Sequence, residues 1–217
     1  MAYPGKEERD IPGTILDQFI TVGPCTNHGK ALMIRKGDKQ IWYKDGHRHR
    51  LDGPAVIYGN GREEWWANGQ LHRLDGPAAI WEDGTQEWYQ NGQLHRLDGP
   101  ARILASGTRM WCQNGQLHRL DGPAVIEADG SRMWYQNGQR HRLGLPALIW
   151  ATGTQEWYQN GQLHRVDGPA IIHSDGLQEW YIQGTPMTQE ITQWMQDNDI
   201  AWPLDRETQV LFELTWG

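Results

Sequence analysis

Hydrophobic positions in this chain keep a beat of 23 residues. Prolines stand at Pro54, Pro77, Pro100, Pro123, Pro146 and Pro169, and tryptophans at Trp42, Trp65, Trp88, Trp111, Trp134, Trp157 and Trp180. A fixed period of this length predicts a stack of small supersecondary units rather than one closed globule. The repeat from Pro77 to Gly99 shows the local pattern. Ala78–Trp81 and Gln86–Tyr89 read as short extended runs flanking Asp83-Gly84, and Asn91-Gly92 reverses the chain again into Gln93–His95. Asp-Gly and Asn-Gly tolerate positive φ and match the twist of hairpin strands. Both turn signals recur in step, and their density of Gly and Pro excludes a helix. The expected architecture is all-β: an elongated single sheet of antiparallel hairpins in which each repeat adds two strands to a meander of at least twelve.

Comparing repeats with one another separates frame from surface. The residue after proline is always Ala (Ala55, Ala78, Ala101, Ala124, Ala147, Ala170), and two residues later stands Ile (Ile57, Ile80, Ile103, Ile126, Ile149, Ile172). With the Trp column these are expected to form the packed side, each buried Trp contributing about 4–6 kcal/mol as an upper bound. Three other columns vary: Val56, Ala79, Arg102, Val125, Leu148, Ile171; then Tyr58, Trp81, Leu104, Glu127, Trp150, His173; then Tyr43, Trp66, Tyr89, Cys112, Tyr135, Tyr158, Tyr181. Period-two alternation puts them on the opposite face. An irregular aromatic face on a regular frame suits partner-specific contacts. The expected partner site is centred on Tyr58, Trp66, Trp81, Tyr89, Trp150 and Tyr158.

The ends break the pattern. Residues 1–27 are read as an N-terminal cap, residues 28–184 as seven repeats, and residues 185–217 as a helix-plus-strand cap. In the last, Thr188–Asn198 has Ile191, Trp194 and Met195 on one helical face, while Ile200–Pro203 and Val210–Trp216 read as strands. Solenoids need such caps because open sheet edges invite aggregation.

The run Asn91-Gly92-Gln93-Leu94-His95, the 23-residue period and the two-strand unit resemble MORN repeats. The string His72-Arg73-Leu74-Asp75-Gly76-Pro77-Ala78 is similar to the divergent MORN-like units of phage, giant-virus and bacterial proteins. The likeness covers roughly residues 28–184. The chain has His-Arg where MORN repeats have His-Gly, and its first hairpin is shorter by two residues. The resemblance implies a non-enzymatic array that makes protein contacts, with phospholipid a partner of some members, and a host-cytoplasm setting if the source is viral.

Charge and candidate chemistry refine this picture. The formal charge is −7, which weighs against nucleic-acid binding and anionic membranes. The 13 Trp and 26 Gly against 2 Phe suit turn-rich β structure. No apolar run could span a membrane, and residues 1–12 carry no apolar secretory core, so a cytoplasmic location is expected. Cys25 and Cys112 read as free thiols. One imidazole per repeat (His49, His72, His95, His118, His141, His164) at about 10 Å spacing cannot reach a single zinc at ~2.0–2.3 Å. The expected role of each His-Arg pair is to hold the Asp-Gly-Pro bend or the next repeat, as a fork from Arg73 to Asp75 would. The joint His141-Arg142-Leu143-Gly144-Leu145-Pro146 lacks that Asp and is expected to be irregular or a docking point. No catalytic triad, nucleophile elbow, phosphate loop or zinc spacing occurs, so no catalytic, cofactor or metal residues are expected. Function therefore reads as a binding scaffold for a protein partner. The rivals are a viral anti-defence inhibitor acting by binding or nucleic-acid mimicry, and a carbohydrate-binding module.

Overall fold

A computed structural model describes residues 31–216. The predicted N-terminal cap, and Cys25 with it, lies outside the described residues. The fold is mostly β, and the chain divides into two compact units, Met1–Gln93 and Leu94–Gly217. In the first, an open antiparallel path runs through Ala31–Lys36, Lys39–Lys44, Val56–Ile57, Glu63–Glu64, Ala79–Ile80 and Gln86–Glu87. In the second it runs through Arg102–Ile103, Arg109–Met110, Val125–Ile126, Arg132–Met133, Leu148–Ile149, Gln155–Glu156, Ile171–Ile172 and Gln178–Glu179. Within each unit every strand of the path lies beside its predecessor, as the two turns per repeat predict, and the two paths together hold fourteen strands.

Each repeat also carries a second, smaller ladder that the sequence reading merged with the first. In the repeat from Pro100, Arg102–Ile103 pairs with Arg109–Met110, whose other edge takes Val125–Ile126. Cys112–Gln113 then folds back on Gln116–Leu117 in a separate hairpin. Trp111 is the hinge: its N–H donates to the Ala124 carbonyl at 2.8 Å, and its own carbonyl accepts from His118 at 3.0 Å. The Asn-Gly turns have both central residues at positive φ, as at Asn91 (50°) and Gly92 (76°), the mirror-image turn that twisted hairpins favour. In the Asp83-Gly84 turn only Gly84 is left-handed (87°), and the Asp83 carboxylate instead accepts from the Thr85 N–H at 2.9 Å.

Successive repeats are clamped by their histidines. His72 Nδ1 accepts from the Asn91 N–H at 3.2 Å, and His118 Nδ1 from Asn137 at 3.2 Å. Each imidazole therefore holds the Asn-Gly turn of the following repeat. The arginines lock the bends, as expected from Arg73 and Asp75. Arg73 Nε donates to Asp75 at 2.9 Å and Nη1 to the Pro77 carbonyl at 3.3 Å. These hydrogen bonds hold the carboxyls of Asp52, Asp75, Asp98 and Asp121 below the usual carboxylate range.

Burial corrects the core assignment. The Ala column is fully buried. The Ile column is only half-buried, and of the Trp column only Trp157 and Trp180 are buried. The rings of Trp65 and Trp111 are covered on one side by the guanidinium of Arg73 (4.1 Å) and Arg119 (4.2 Å), so an edge stays wet. The first variable column, by contrast, is core at Val56, Ala79, Val125 and Leu148. These short strands are hydrogen-bonded on both edges.

The C-terminal segment is a helical pair, not helix plus strand. Helix α1 (Thr188–Asp197) buries Ile191, as its periodicity predicts. Helix α2 (Arg206–Trp216) replaces the strand predicted at Val210–Trp216, and no strand forms at Ile200–Pro203. Asp205 caps α2, accepting from the Thr208 N–H at 2.8 Å. Phe212 and Trp216, one helical turn apart, join Trp180 and Ile191 in a small core. No helix among the described residues is long and apolar enough to cross a membrane.

Two measurements test this frame. Trp180 packs on Trp202 and Phe212 at centroid distances of 5.6 and 5.2 Å, so Trp180→Ala should cost about 3–5 kcal/mol, and half-buried Trp111→Ala about 2. Denaturant melts giving equal or reversed losses would refute the reassigned core. His164 Nδ1 accepts from the Gln183 N–H at 3.1 Å, and burial holds its imidazole below the ordinary range. Above about pH 6.5 both folded and unfolded chains carry it neutral, and its contribution is fully present. As pH falls below that value the unfolded chain takes up the proton first, and stability is lost. The melting-temperature gap between the wild type and His164→Asn, which keeps an acceptor there, should shrink between pH 7.5 and 5.5. A pH-independent gap would rule this out.

Candidate functional site

The variable face is built by alternation. In the repeat from Pro77, Ala79 pairs with Glu87 and Ile80 with Gln86. Ala79, Trp81, Glu87 and Tyr89 therefore share one face, and Ile80, Gln86 and Trp88 the other. The face carries a recurring polar fork. Glu87 accepts from the Trp81 indole at 3.0 Å and the Tyr89 hydroxyl at 3.3 Å. Glu64 accepts from the Trp66 indole at 2.9 Å, the Tyr58 hydroxyl at 3.4 Å and the Arg62 guanidinium. Glu156 accepts from Trp150 at 2.6 Å and Tyr158 at 2.8 Å. Glu179 pairs with His173 Nε2 at 2.6 Å and accepts from Tyr181 at 3.1 Å.

The six predicted site residues thus fall into three pairs, each sharing a glutamate: Tyr58 with Trp66, Trp81 with Tyr89, and Trp150 with Tyr158. The first two pairs lie in the first unit and the third in the second. Glu64 and Glu87 are buried. A carboxylate can be buried because its oxygens are met by several donors, and its donors set the orientation of the rings. Burial, then the Glu156 carboxylate, pushes the Tyr158 phenol up to about 12. Burial and Glu64 raise Tyr58, and burial and Glu179 raise Tyr181. These phenols stay protonated and act as donors.

Cations complete the face. The Arg62 guanidinium lies 3.8 Å from the Trp81 ring centre and 4.8 Å from that of Tyr58, which also carries Lys39 Nζ at 4.4 Å. Arg48 stacks on Trp66 at 4.9 Å. Arg140 lies 5.2 Å from the Tyr158 ring centre and donates to the hydroxyls of Tyr135 (3.0 Å) and Tyr158 (3.3 Å). Trp150 is the most open of the six at 38% exposure; the other five are half-buried.

The glutamates are the residues that sequence reasoning missed as part of this face. Their signal is internal covariation: the column reads Glu64, Glu87, Met110, Met133, Glu156, Glu179. Methionine stands where the flanks are Leu104 with Cys112, or Glu127 with Tyr135. There Glu127 turns to Thr108 Oγ1 at 2.9 Å, and burial pushes the Cys112 thiol up to about 11. The joint expected to be irregular keeps its bend without the aspartate: Arg142 donates to the Pro146 carbonyl at 3.1 Å and stacks on Trp134 at 3.9 Å. Among the described residues no three His, Cys, Asp or Glu are grouped to hold a metal ion. No protein-family model matches the chain, and no curated protein matches it with significance.

If the fork orients the rings, Glu87→Met should leave the Trp81 and Tyr89 donors without their carboxylate and cost about 1–3 kcal/mol. Replacing the whole set as the repeat from Pro100 has it (Trp81→Leu, Glu87→Met, Tyr89→Cys) should recover most of that loss. Chemical denaturation of both variants decides; a triple variant no more stable than the single one would argue against an interdependent set.

Proposed function

We propose that this chain is a non-enzymatic repeat scaffold that binds a protein partner through its aromatic face, and that its repeats are of the MORN-like kind. The observation that carries the reading is the contrast between columns. Ala, Ile, Trp and the turn glycines are held constant, while position 58 and its equivalents read Tyr, Trp, Leu, Glu, Trp and His. A frame that tolerates such change, with rings held by glutamate forks, offers large contact area at low entropy cost. The likeness to phage, giant-virus and bacterial repeats favours a viral or bacterial source and action in the host cytoplasm.

The rivals have less support. A nucleic-acid mimic needs unneutralised carboxylates in a row, whereas Asp52, Asp75, Asp98 and Asp121 each accept from an arginine at 2.9 Å. A carbohydrate site would use bare rings, and Trp150 alone of the six is exposed.

The test uses the full chain as bait in extracts of the native host, with mass spectrometry of what is retained, followed by affinity measurements on Trp81→Ala and Trp150→Ala. At least one substitution should weaken binding about tenfold or more, equivalent to 1.4 kcal/mol, while circular dichroism stays native. Unchanged affinity in both folded variants removes the aromatic face from the interface. Binding on a glycan array with no protein partner would hand the face to sugars.

A further inference from the structure

The bends on the other side of the frame leave a regular apolar row. At these bends the residue after the arginine points outward with or without the aspartate: Leu97 and Leu120, between Arg96 and Asp98 and between Arg119 and Asp121, are each 75% exposed, and Leu143, whose bend lacks the aspartate, is 70% exposed. Between the bend at Arg96–Gly99 and the bend at His118–Asp121 lies a groove of about 360 Å³, also lined by Trp111 and Gln113. Single exposed leucines are ordinary, but a groove that carries one on each polar bend and the Trp111 ring between them is a place for a ligand.

The last bend shows what fits. Trp202, between the two C-terminal helices, lies against Arg165 and Gly168, the counterparts of Arg96 and Gly99 three repeats on. Its ring centre is 5.6 Å from the Arg165 guanidinium, and a Cβ on Gly168 would overlap the indole. The contact dries the bend. Asp167 is 40% exposed where Asp98 and Asp121 are 82%, and Gly168 and Pro169 are buried where Gly99 and Pro100 are half-buried. Trp202 is itself committed: it packs edge-on against Trp180 and belongs to the core with Phe212. It is therefore not the ligand that a second copy would offer.

We propose that the groove between the 96–99 and 118–121 bends is a docking site for a tryptophan-bearing apolar segment of a partner protein, and that Trp202 is a built-in version of the same contact. The indole would cover Arg96 and Gly99 as Trp202 covers Arg165 and Gly168, with neighbouring apolar side chains against Leu97 and Leu120. This surface is separate from the aromatic face and does not rest on the function proposed for it.

The probe is the acetylated, amidated pentapeptide IAWPL, the sequence of residues 200–204, titrated into the isotope-labelled full chain. Amide and indole signals of Leu97, Gly99, Trp111 and Leu120 should shift on titration, and the peptide with alanine in place of tryptophan should shift them at least fivefold less. The double variant Leu97→Ser/Leu120→Ser changes only exposed side chains, should keep the native spectrum, and should lose the response. The proposal is overturned by no shift at these residues, by equal response to the alanine peptide, by a response that survives in the folded double variant, or by shifts confined to residues 180–216. Concentration-dependent dimerisation abolished by the double variant would assign the groove to a second copy and equally overturn it.

Discussion

One guanidinium per repeat ties the frame together. Arg119 stacks on Trp111 at 4.2 Å, donates to Asp121 at 2.9 Å and to the Pro123 carbonyl at 3.3 Å. It also lies so close to Gly122 that a Cβ there would come within 3.1 Å of its Cζ. Four residue types, Trp, Asp, Gly and Pro, therefore travel with the arginine at the 23-residue period because they surround the same planar cation. Lysine, a point charge without a fork, could not stack and make both hydrogen bonds at once. The joint at Arg142 shows which contacts suffice. Without its aspartate it keeps the Trp134 stack and the Pro146 carbonyl, and burial lowers the arginine's affinity for its proton.

The histidine beside each arginine carries order from one repeat to the next. Its Nδ1 accepts from the Asn-Gly turn of the following repeat, and two backbone bonds run in parallel, as from Arg119 N–H to Tyr135 and from Gly138 N–H to Leu117. Each repeat thus presents its neighbour with a fixed turn, and strands only two residues long can persist although isolated hairpins of that length would not.

On this frame the two sides are free to differ. The aromatic side is governed by buried glutamates, and a half-satisfied buried network is worse than an apolar one. That is why the column is either Glu with Trp, Tyr or His donors, or Met with other flanks, and why the surface changes by whole sets. On the bend side, Leu97, Leu120 and Leu143 point outward whatever the aromatic side does.

The 23-residue period by itself determined the hairpin class, the positions of the turns, the buried Ala column and the Arg–Asp lock, because these are set by residue types that recur at fixed places in the repeat, as Arg73 and Asp75 stand two apart. It placed Tyr58, Trp66, Val56 and their equivalents on one face, since alternation is a local property. Tertiary structure decided the rest. Val56 is fully buried and Trp111 is not: the Trp111 ring is covered on one side by the Arg119 guanidinium and keeps an open edge. Val210–Trp216 could be a strand by composition and is a helix because Asp205 caps it and Phe212 and Trp216 share a face against Trp180. The glutamate forks join residues six apart across a hairpin, and Trp202 meets Gly168 from 34 positions away. The forks leave a trace in the Glu and Met column, but which ring meets which carboxylate, and the contact of Trp202 with Gly168, exist only once the ladder has set its register.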